Sequence, residues 1–395
     1  MFTFIKRRLL EVFKANRRPL FILSIGCVLI FLNIGRRLRG DSELYEGLSL
    51  SLLGREAPSY YYSHRSLVIM RPIVPVLASP LILISDNVDL SFGLVSGLFW
   101  IGGAIVAYKL GQILFQDDDL ALLTALSYVT APTLLMWGAA VMTDSAGFFF
   151  IGLTVYLTLK REQQEHVSSK TYFLDALIAS IGVLSRESVV AALVFMIARR
   201  FMRKKGFKET LIATFLVGIS TVFSLSLLGF GPDVFIHKYV LATRVHTWLH
   251  ENWGLLSYIS NLGRAFVTNI ALPSPYFVSF NFWIGMLPFL FYGTCTLIGL
   301  IYGARQKDLI FCLLVLFPTS MIWPAMRERF SFCMWPAIIP AFLSGMNLIL
   351  SRLSFVRPKT QHRSKICILL YVSVFGVINT LTTLVYYGSL TTTLQ

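Results

Sequence analysis

Residues 90–114 read LSFGLVSGLFWIGGAIVAYKLGQIL, and this stretch decides the fold because it contains one charged side chain, that of Lys109. An α-helix rises about 1.5 Å per residue, so a helix over this stretch is long enough to cross the roughly 30 Å hydrocarbon core of a bilayer. Other apolar stretches of comparable length recur along the chain between short charged loops. The sequence therefore predicts a membrane protein built from spanning helices.

The composition supports the same fold class. Of the 395 residues, 55% are hydrophobic and 14% are charged, whereas soluble domains carry about 25% charged residues. Barrel strands would alternate apolar and polar residues, and no such alternation occurs. We predict an all-α polytopic membrane protein with about eleven transmembrane helices, in a range of roughly nine to twelve, and no sizeable soluble domain.

The net charge of +15 does not indicate nucleic-acid binding, because the basic residues lie at the ends of apolar segments. The apolar run Leu20–Ile34 follows a basic N-terminal stretch and lacks a cleavage site for a signal peptidase, so we expect an uncleaved first helix with a cytoplasmic N-terminus. The positive-inside rule assigns four further basic loops to the cytoplasm. These loops are residues 160–170, 199–208, 305–307 and 352–365.

These loops leave one apolar stretch too many before residue 160. The weakest candidate for a span is Leu67–Ile84, since it contains Arg71 and three prolines, which break membrane helices. We therefore predict that residues 36–89 form a first outer loop with helices on the membrane surface. The whole chain, 1–395, is then one membrane domain in two parts. Residues 1–205 contain the first outer loop, and residues 206–395 contain a second outer segment at 231–280.

The first outer loop opens on an arginine cluster, Arg36-Arg37-Leu38-Arg39, followed at once by Gly40-Asp41. Arginines on the outer side oppose the positive-inside tendency, which indicates a polyanion as ligand. Asp41 lies close to the end of the first helix, where a rigid element can orient a carboxylate. The same residues also fit an ordinary hydrated loop whose charges reach the membrane interface.

Two more charged positions lie on the predicted outer side. Asp144 stands at the turn between two apolar helices, either as a functional carboxylate or as the N-cap of the following helix. Arg186 and Glu187 lie between two short apolar segments, and charges within a membrane are typically functional. Because these two are adjacent and opposite in charge, they also fit a structural pair that neutralises itself.

A late motif places Arg327 and Arg329 before a span that contains prolines. Guanidinium groups bind phosphate through two parallel hydrogen bonds, which favours a phosphate site. Pairing with Glu328 at a helix start is the alternative. The acidic run Asp117-Asp118-Asp119 is similar to metal-binding or nucleotide-sugar motifs, but it lies on the predicted cytoplasmic side, which favours a solvated loop. The five cysteines show no metal-ligand spacing, so no metal site is predicted.

Taken together, these features resemble the C superfamily of polytopic, lipid-carrier-dependent glycosyltransferases, which includes protein O-mannosyltransferase and aminoarabinose-transferase relatives. The resemblance covers roughly the first 200 residues and one late motif. The matching residues, in chain order, are Asp41 after the first helix, Arg71-Pro72-Ile73-Val74-Pro75 in the first outer loop, Asp144 in the second outer turn, and Arg329-Phe330 with Pro336 and Pro340.

The resemblance implies inverting transfer of a sugar from a polyprenyl-phosphate carrier to a glycan, lipid or protein acceptor on the outer face. It implies that Asp41 is the general base and that arginines hold the lipid phosphate. It suggests Asp144 as the second catalytic residue. The residues that it suggests for binding the substrate or the lipid phosphate are Arg329, Arg327, Arg186, Arg71, His64 and Glu43. No cofactor is expected, since no glycine-rich phosphate loop occurs, and the sequence leaves a divalent metal open.

Three other functions fit parts of the sequence. A transporter or flippase of a lipid-linked or anionic substrate would also use many spans and outer arginines. A lipid-linked polysaccharide polymerase or ligase would use the late outer segment, which contains His237, Arg244, His246 and His250. A structural membrane scaffold is the third, and the charged cluster around Asp41 disfavours it.

Overall fold

The computed structural model describes residues 2–37, 40–65, 68–69, 71–227, 282–321, 332–353 and 360–393. These ranges are helical and contain no strand, which confirms the predicted all-α class. The first helices are α1 (Phe2–Asn33), α2 (Asp41–Leu52), α3 (Ser59–His64), α4 (Ile73–Ser85), α5 (Val88–Phe115), α6 (Asp118–Val129), α7 (Pro132–Trp137) and α8 (Asp144–Glu162). The later ones are α9 (Ser169–Val183), α10 (Val189–Arg203), α11 (Phe207–Leu227), α12 (Phe282–Tyr302), α13 (Gln306–Met321), α14 (Trp335–Leu353) and α15 (Thr360–Thr393).

Helix α5 lies at the centre of the N-terminal half and packs against α1, α4, α6 and α8. The side chain of Asn87 caps its first turn by accepting a hydrogen bond from Leu90 N at 2.9 Å. Trp100, halfway along, is fully buried among its neighbours. The stretch from which the fold class was predicted is thus the packing core of this half.

Among the described residues, three helical segments are long and apolar enough to cross a membrane: Val88–Phe115, Phe207–Ser226 and Phe332–Arg352. Shorter apolar helical segments are Ile73–Ser85, Leu290–Tyr302 and Lys365–Leu381. These helices and the fold make the chain an integral membrane protein. The count of eleven spans stays a prediction.

Residues 36–89 contain three helices, α2 to α4, and their position outside and on the membrane surface stays a prediction. At 13 residues, α4 is about 20 Å long and is too short to cross a bilayer. Its Val74, Ala78 and Ile82 are fully buried at helical spacing, while Leu83 and Ile84 are exposed on the opposite side. Such an arrangement suits a helix that packs on the bundle and presents an apolar face to lipid.

The prolines act differently from the expectation that they would break this segment. Pro72 directly precedes α4, and Pro75 lies in its first turn, where the missing N–H would have no partner within the helix. Pro132 produces the break that was not predicted. The apolar stretch 120–141 is long enough to read as one span, but it is divided into α6 and α7, because the residue before a proline is pushed out of the helical conformation.

One end of the bundle collects arginine–carboxylate pairs, and we call the ends of α8 to α11 with the start of α13 the basic end. Arg161 donates from Nε to Asp175 at 2.7 Å. Arg199 pairs with Glu162 and, at 2.8 Å, with Asp308 at the start of α13. These contacts bring together three loops that the positive-inside rule assigned to one side. That this side is the cytoplasm stays a prediction.

The acidic run at residues 117–119 also lies among cations. Lys365 of α15 contacts Asp117 at 2.5 Å, and Arg18 of α1 contacts Asp118 at 2.6 Å and Asp119 at 2.5 Å. Although partial burial acts against it, the hydrogen bond from Lys365 and two backbone amides lower the pKa of Asp117. The run therefore joins three helices through ion pairs, beyond the solvated loop that the sequence favoured.

Candidate functional site

The opposite end of the bundle contains a second group of charges, centred on the start of α8 and on the turn between α9 and α10. Asp144 is the first residue of α8, where the helix dipole favours a carboxylate. Its side chain is fully buried and pairs with Arg186, whose side chain is 3% exposed. The N-cap position belongs to Thr143, so the alternative interpretation of Asp144 as the N-cap is wrong.

A second ion pair lies beside the first. Arg71, just before α4, donates from Nε to Glu187 Oε2 at 2.7 Å and from Nη1 to the Tyr45 hydroxyl at 2.8 Å. Burial disfavours the charged guanidinium, but Glu187 and Tyr45 outweigh it and hold the pKa of Arg71 well above its ordinary value. Arg71 therefore stays a cation at this position.

The two ion pairs form one network. The Thr143 hydroxyl donates to the Tyr45 hydroxyl at 3.2 Å, so Tyr45 joins the turn before Asp144 to Arg71. Arg186 and Glu187 each pair with a residue of another element, rather than only neutralising one another. Sequence reasoning missed Tyr45, although its position four residues after Asp41 was a signal.

Asp41 is the first residue of α2 and is partly buried. It follows Gly40, whose φ of +82° lies in the left-handed region that glycine adopts most readily. Because residues four apart lie on one face of a helix, Asp41 stands one turn above Tyr45. Asp41 therefore lies on the face of α2 from which Tyr45 contacts Arg71.

Tyr60 lies close to three of the predicted site residues, Asp41, Glu43 and His64. Burial raises the pKa of Tyr60, and the nearby carboxylates of Asp41 and Glu43 raise it further. The ring of His64 stacks on Tyr60 with 4.3 Å between centroids. Asp41, Glu43 and His64 thus each interact with Tyr60, the two carboxylates through their charge and His64 through ring stacking.

The outer arginine cluster is partly structural. Arg36 donates from Nη1 to Leu135 O at 2.7 Å. Arg37 pairs with Asp89 at 2.6 Å and with Glu46 at 2.8 Å. These contacts tie the start of the first outer loop to α2, α5 and α7, which explains two of the arginines without a polyanion.

Other predicted residues lie outside the described ranges: Arg39, Arg327, Arg329, His237, Arg244, His246 and His250. Residues 332–353 are described and enter the bundle next to the site. Trp335 Nε1 donates to Phe148 O at 3.1 Å, one turn into α8. Within the described residues, no group of three or more His, Cys, Asp or Glu side chains is placed to hold a metal ion.

Fifteen chains of solved structures match this chain. The crystal structure of ArnT from Cupriavidus metallidurans, bound to undecaprenyl phosphate, aligns with a TM-score of 0.54 at 13% identity over 89% of this chain and 62% of that one. The oligosaccharyltransferase AglB from Archaeoglobus fulgidus, in complex with an inhibitory peptide and a dolichol-phosphate, aligns with a TM-score of 0.54 at 12% identity over 95% and 56%. The chain therefore spans less than two thirds of the length of either protein, and the likeness shows the fold.

The fold agrees with the resemblance to lipid-carrier-dependent glycosyltransferases on which the sequence prediction rests. Residues 71–228 match the family model of dolichyl-phosphate-mannose-protein mannosyltransferases. The matched segment includes Arg71, Asp144 and Arg186, and it begins after Asp41. A comparison with curated protein sequences gives no match.

Proposed function

We propose that this chain is a membrane glycosyltransferase that moves a sugar from a polyprenyl-phosphate carrier to an acceptor on the outer face, with inversion at the anomeric carbon. The observation that carries the proposal is the network at one end of the bundle that contains Tyr45, Arg71, Asp144 and Arg186, with Asp41 one helical turn from Tyr45. The family match and the two solved structures support a lipid-phosphate donor.

Asp41 acts as the general base in this proposal. It takes the proton from the acceptor hydroxyl while the hydroxyl oxygen attacks the anomeric carbon. The bond between that carbon and the carrier phosphate oxygen breaks, and the phosphate leaves with the electron pair. A single displacement of this kind inverts the anomeric configuration.

Arg71 is the described cation best placed to meet the leaving phosphate. Its side chain is 15% exposed, whereas that of Arg186 is 3% exposed and lies against Asp144. A guanidinium carries five N–H groups, and the bonds to Glu187 and Tyr45 engage two of its nitrogens. Arg327 and Arg329 remain further candidates for the same phosphate.

The buried pair of Asp144 and Arg186 has a positioning role in this proposal. It holds the start of α8 against the turn before α10, and that turn carries Glu187, which in turn orients Arg71. Asp144 acts through its neighbour Thr143, which contacts Tyr45, and makes no direct contact with the acceptor in this proposal. Arg71, oriented in this way by Glu187, stabilises the charge that develops on the leaving phosphate.

A flippase would need charges along a path through the membrane. Among the described residues, the buried charges lie at helix ends or within two turns of them: Asp144, Asp175, Arg186, Arg199 and Arg200. Asp144 and Arg186 lie at the end that contains Asp41, and the other three lie towards the basic end, so the buried charges form two separate groups rather than the continuous path that a flippase would need.

The test compares Asp41→Asn with Asp86→Asn, a matched change at an exposed carboxylate of the same outer loop that pairs with Arg55. Each full chain is reconstituted in liposomes with a panel of polyprenyl-phosphate hexoses and pentoses and cell-envelope acceptors, and the released carrier phosphate is measured. We expect Asp41→Asn to lose about 10²- to 10⁴-fold in transfer rate while the fold is retained, and Asp86→Asn to match the parent chain. Transfer by Asp41→Asn at the parent rate would overturn the role of Asp41.

A further inference from the structure

The basic end contains a cavity that the proposed reaction does not use. It has a volume of about 240 Å³ and lies between the ends of α8, α9 and α10. Five basic residues and one acidic residue, Glu162, are among those that line it. The basic ones are Arg161, Arg199, Arg200, Arg203 and Lys205. The cavity is smaller than the roughly 300 Å³ at which pockets for drug-sized ligands begin, so its size suits a small group.

Arg200 is the residue that points to a ligand. The residue is 4% exposed, and its Nη1 donates to Tyr172 O at 2.8 Å and to Thr210 Oγ1 at 2.6 Å. Its Nε and Nη2 have no hydrogen-bond partner, and the nearest carboxylate oxygen, of Asp175, is 3.5 Å from Nη2. Buried guanidinium nitrogens without partners are rare and call for an acceptor.

The carboxylates around the cavity are already shared. Asp175 receives two hydrogen bonds from Arg161, and Glu162 is shared by Arg199 and Arg203. Asp308 also pairs with Arg199. Arg200 shares Asp175 with Arg161 as an ion pair at 3.5 Å and has no carboxylate of its own, and the positive charge that remains favours an anion.

The surroundings favour an anion that is attached to a lipid. Phe201 and Met202, directly after Arg200, are 65% and 54% exposed and offer apolar surface beside the cavity. Lys205 and Arg203 stand at its rim, with the Arg203 side chain 63% exposed. Basic pockets between membrane helices on the cytoplasmic side are suited to phosphate-bearing lipid headgroups.

We propose that this cavity binds the phosphate group of an anionic phospholipid, with Arg200 as the buried donor and Arg203 and Lys205 as rim donors. Free phosphate shares this chemistry and is the alternative source. The proposal concerns the opposite end from Asp41 and stands independently of the proposed transfer reaction.

The experiment uses the purified full chain in detergent, with the unfolding midpoint and the apparent Kd measured in titrations. The probes are phosphatidylglycerol, phosphatidylcholine and inorganic phosphate. We expect phosphatidylglycerol to raise the midpoint and phosphatidylcholine to leave it unchanged. Equal effects of the two lipids would overturn the proposal. A rise with inorganic phosphate and none with phosphatidylglycerol would overturn the lipid source and assign the site to soluble phosphate.

Two double variants from one loop make the test specific. Arg203→Gln with Lys205→Gln removes the rim donors, and Lys204→Gln with Lys208→Gln removes the same charge at positions that do not line the cavity. We expect the first to bind phosphatidylglycerol about tenfold more weakly, as for the loss of one charge-assisted hydrogen bond, and the second to bind like the parent. Equal weakening in both would overturn the site.

Discussion

Arginine–carboxylate pairs of this chain lie at different depths. At the end that contains Asp41, the side chains of Asp144 and Arg186 are 0% and 3% exposed. At the start of α6, Asp118 and Asp119 are about half exposed where they meet Arg18. A buried pair is expensive to desolvate and is weak evidence for stability, whereas exposed pairs contribute little and tie helix ends together. The deeply buried pairs, Asp144 with Arg186 and, at the basic end, Arg200 with Asp175 at 4% and 5% exposed, lie beside the two sites that we propose.

The largest effect is expected from Arg186→Gln, because it leaves the Asp144 carboxylate buried without its cation. We expect the free energy of unfolding in detergent to fall by about 3 to 5 kcal/mol. The double variant with Asp144→Asn removes both charges and should lose less than Arg186→Gln alone. A loss in the double variant equal to the sum of the two single losses would show that the pair is not coupled and would weaken the comparison of the two ends.

Tyr45→Phe is expected to have an intermediate effect. The change removes the hydroxyl that accepts from Arg71 and Thr143, and leaving those donors without a partner costs about 1 to 3 kcal/mol. Because Arg71 is then less well oriented, kcat for transfer should fall by about tenfold at a retained fold. Tyr62→Phe is the matched control, since Tyr62 is exposed on the neighbouring helix. Equal kcat values for the two variants would contradict a positioning role for Tyr45.

The smallest effect concerns the pH dependence of stability at the acidic run, residues 117–119. The pKa of Asp117 is lower in the folded chain than its usual value of about 3.9. As pH falls, Asp117 therefore takes up its proton in the unfolded state at a higher pH than in the folded state. The stability from Asp117 is therefore fully present above that value and is lost on acidification through the folded pKa. Unfolding midpoints measured against pH should show a shallower acid loss for Asp117→Asn than for the parent. Identical acid profiles would remove this contribution.

Sequence patterns predicted the fold class, and they also selected residues that the structure places in one network, because composition and charge placement carry that information. Asp41, Arg71, Asp144 and Arg186 were each chosen as charged residues in predicted outer segments. Their pairing was not predictable, since Arg186 meets Asp144 from 42 positions earlier in the chain rather than its neighbour Glu187. Pairing across helices depends on packing, which periodicity along one segment does not report.

Two other differences have similar causes. The alanine before Pro132 adopts an extended conformation that ends α6 early, and a hydropathy run across residues 120–141 does not show it. Tyr45 resembles any aromatic residue of an apolar face until its hydroxyl is seen between Arg71 and Thr143. A search for charged residues therefore overlooks the hydroxyl group of a side chain that is otherwise apolar.

The central claim is that the lipid phosphate of the donor binds at the end that contains Asp41 and Arg71. A polyprenyl phosphate with a photoreactive group beside its phosphate, added to the full chain in liposomes, would test it through mass spectrometry of the labelled peptides. The account predicts labels within residues 40–65 and 71–85 and in the turn at 184–188, and weaker labelling there for Arg71→Gln. Labels confined to residues 199–208 at the basic end would contradict it.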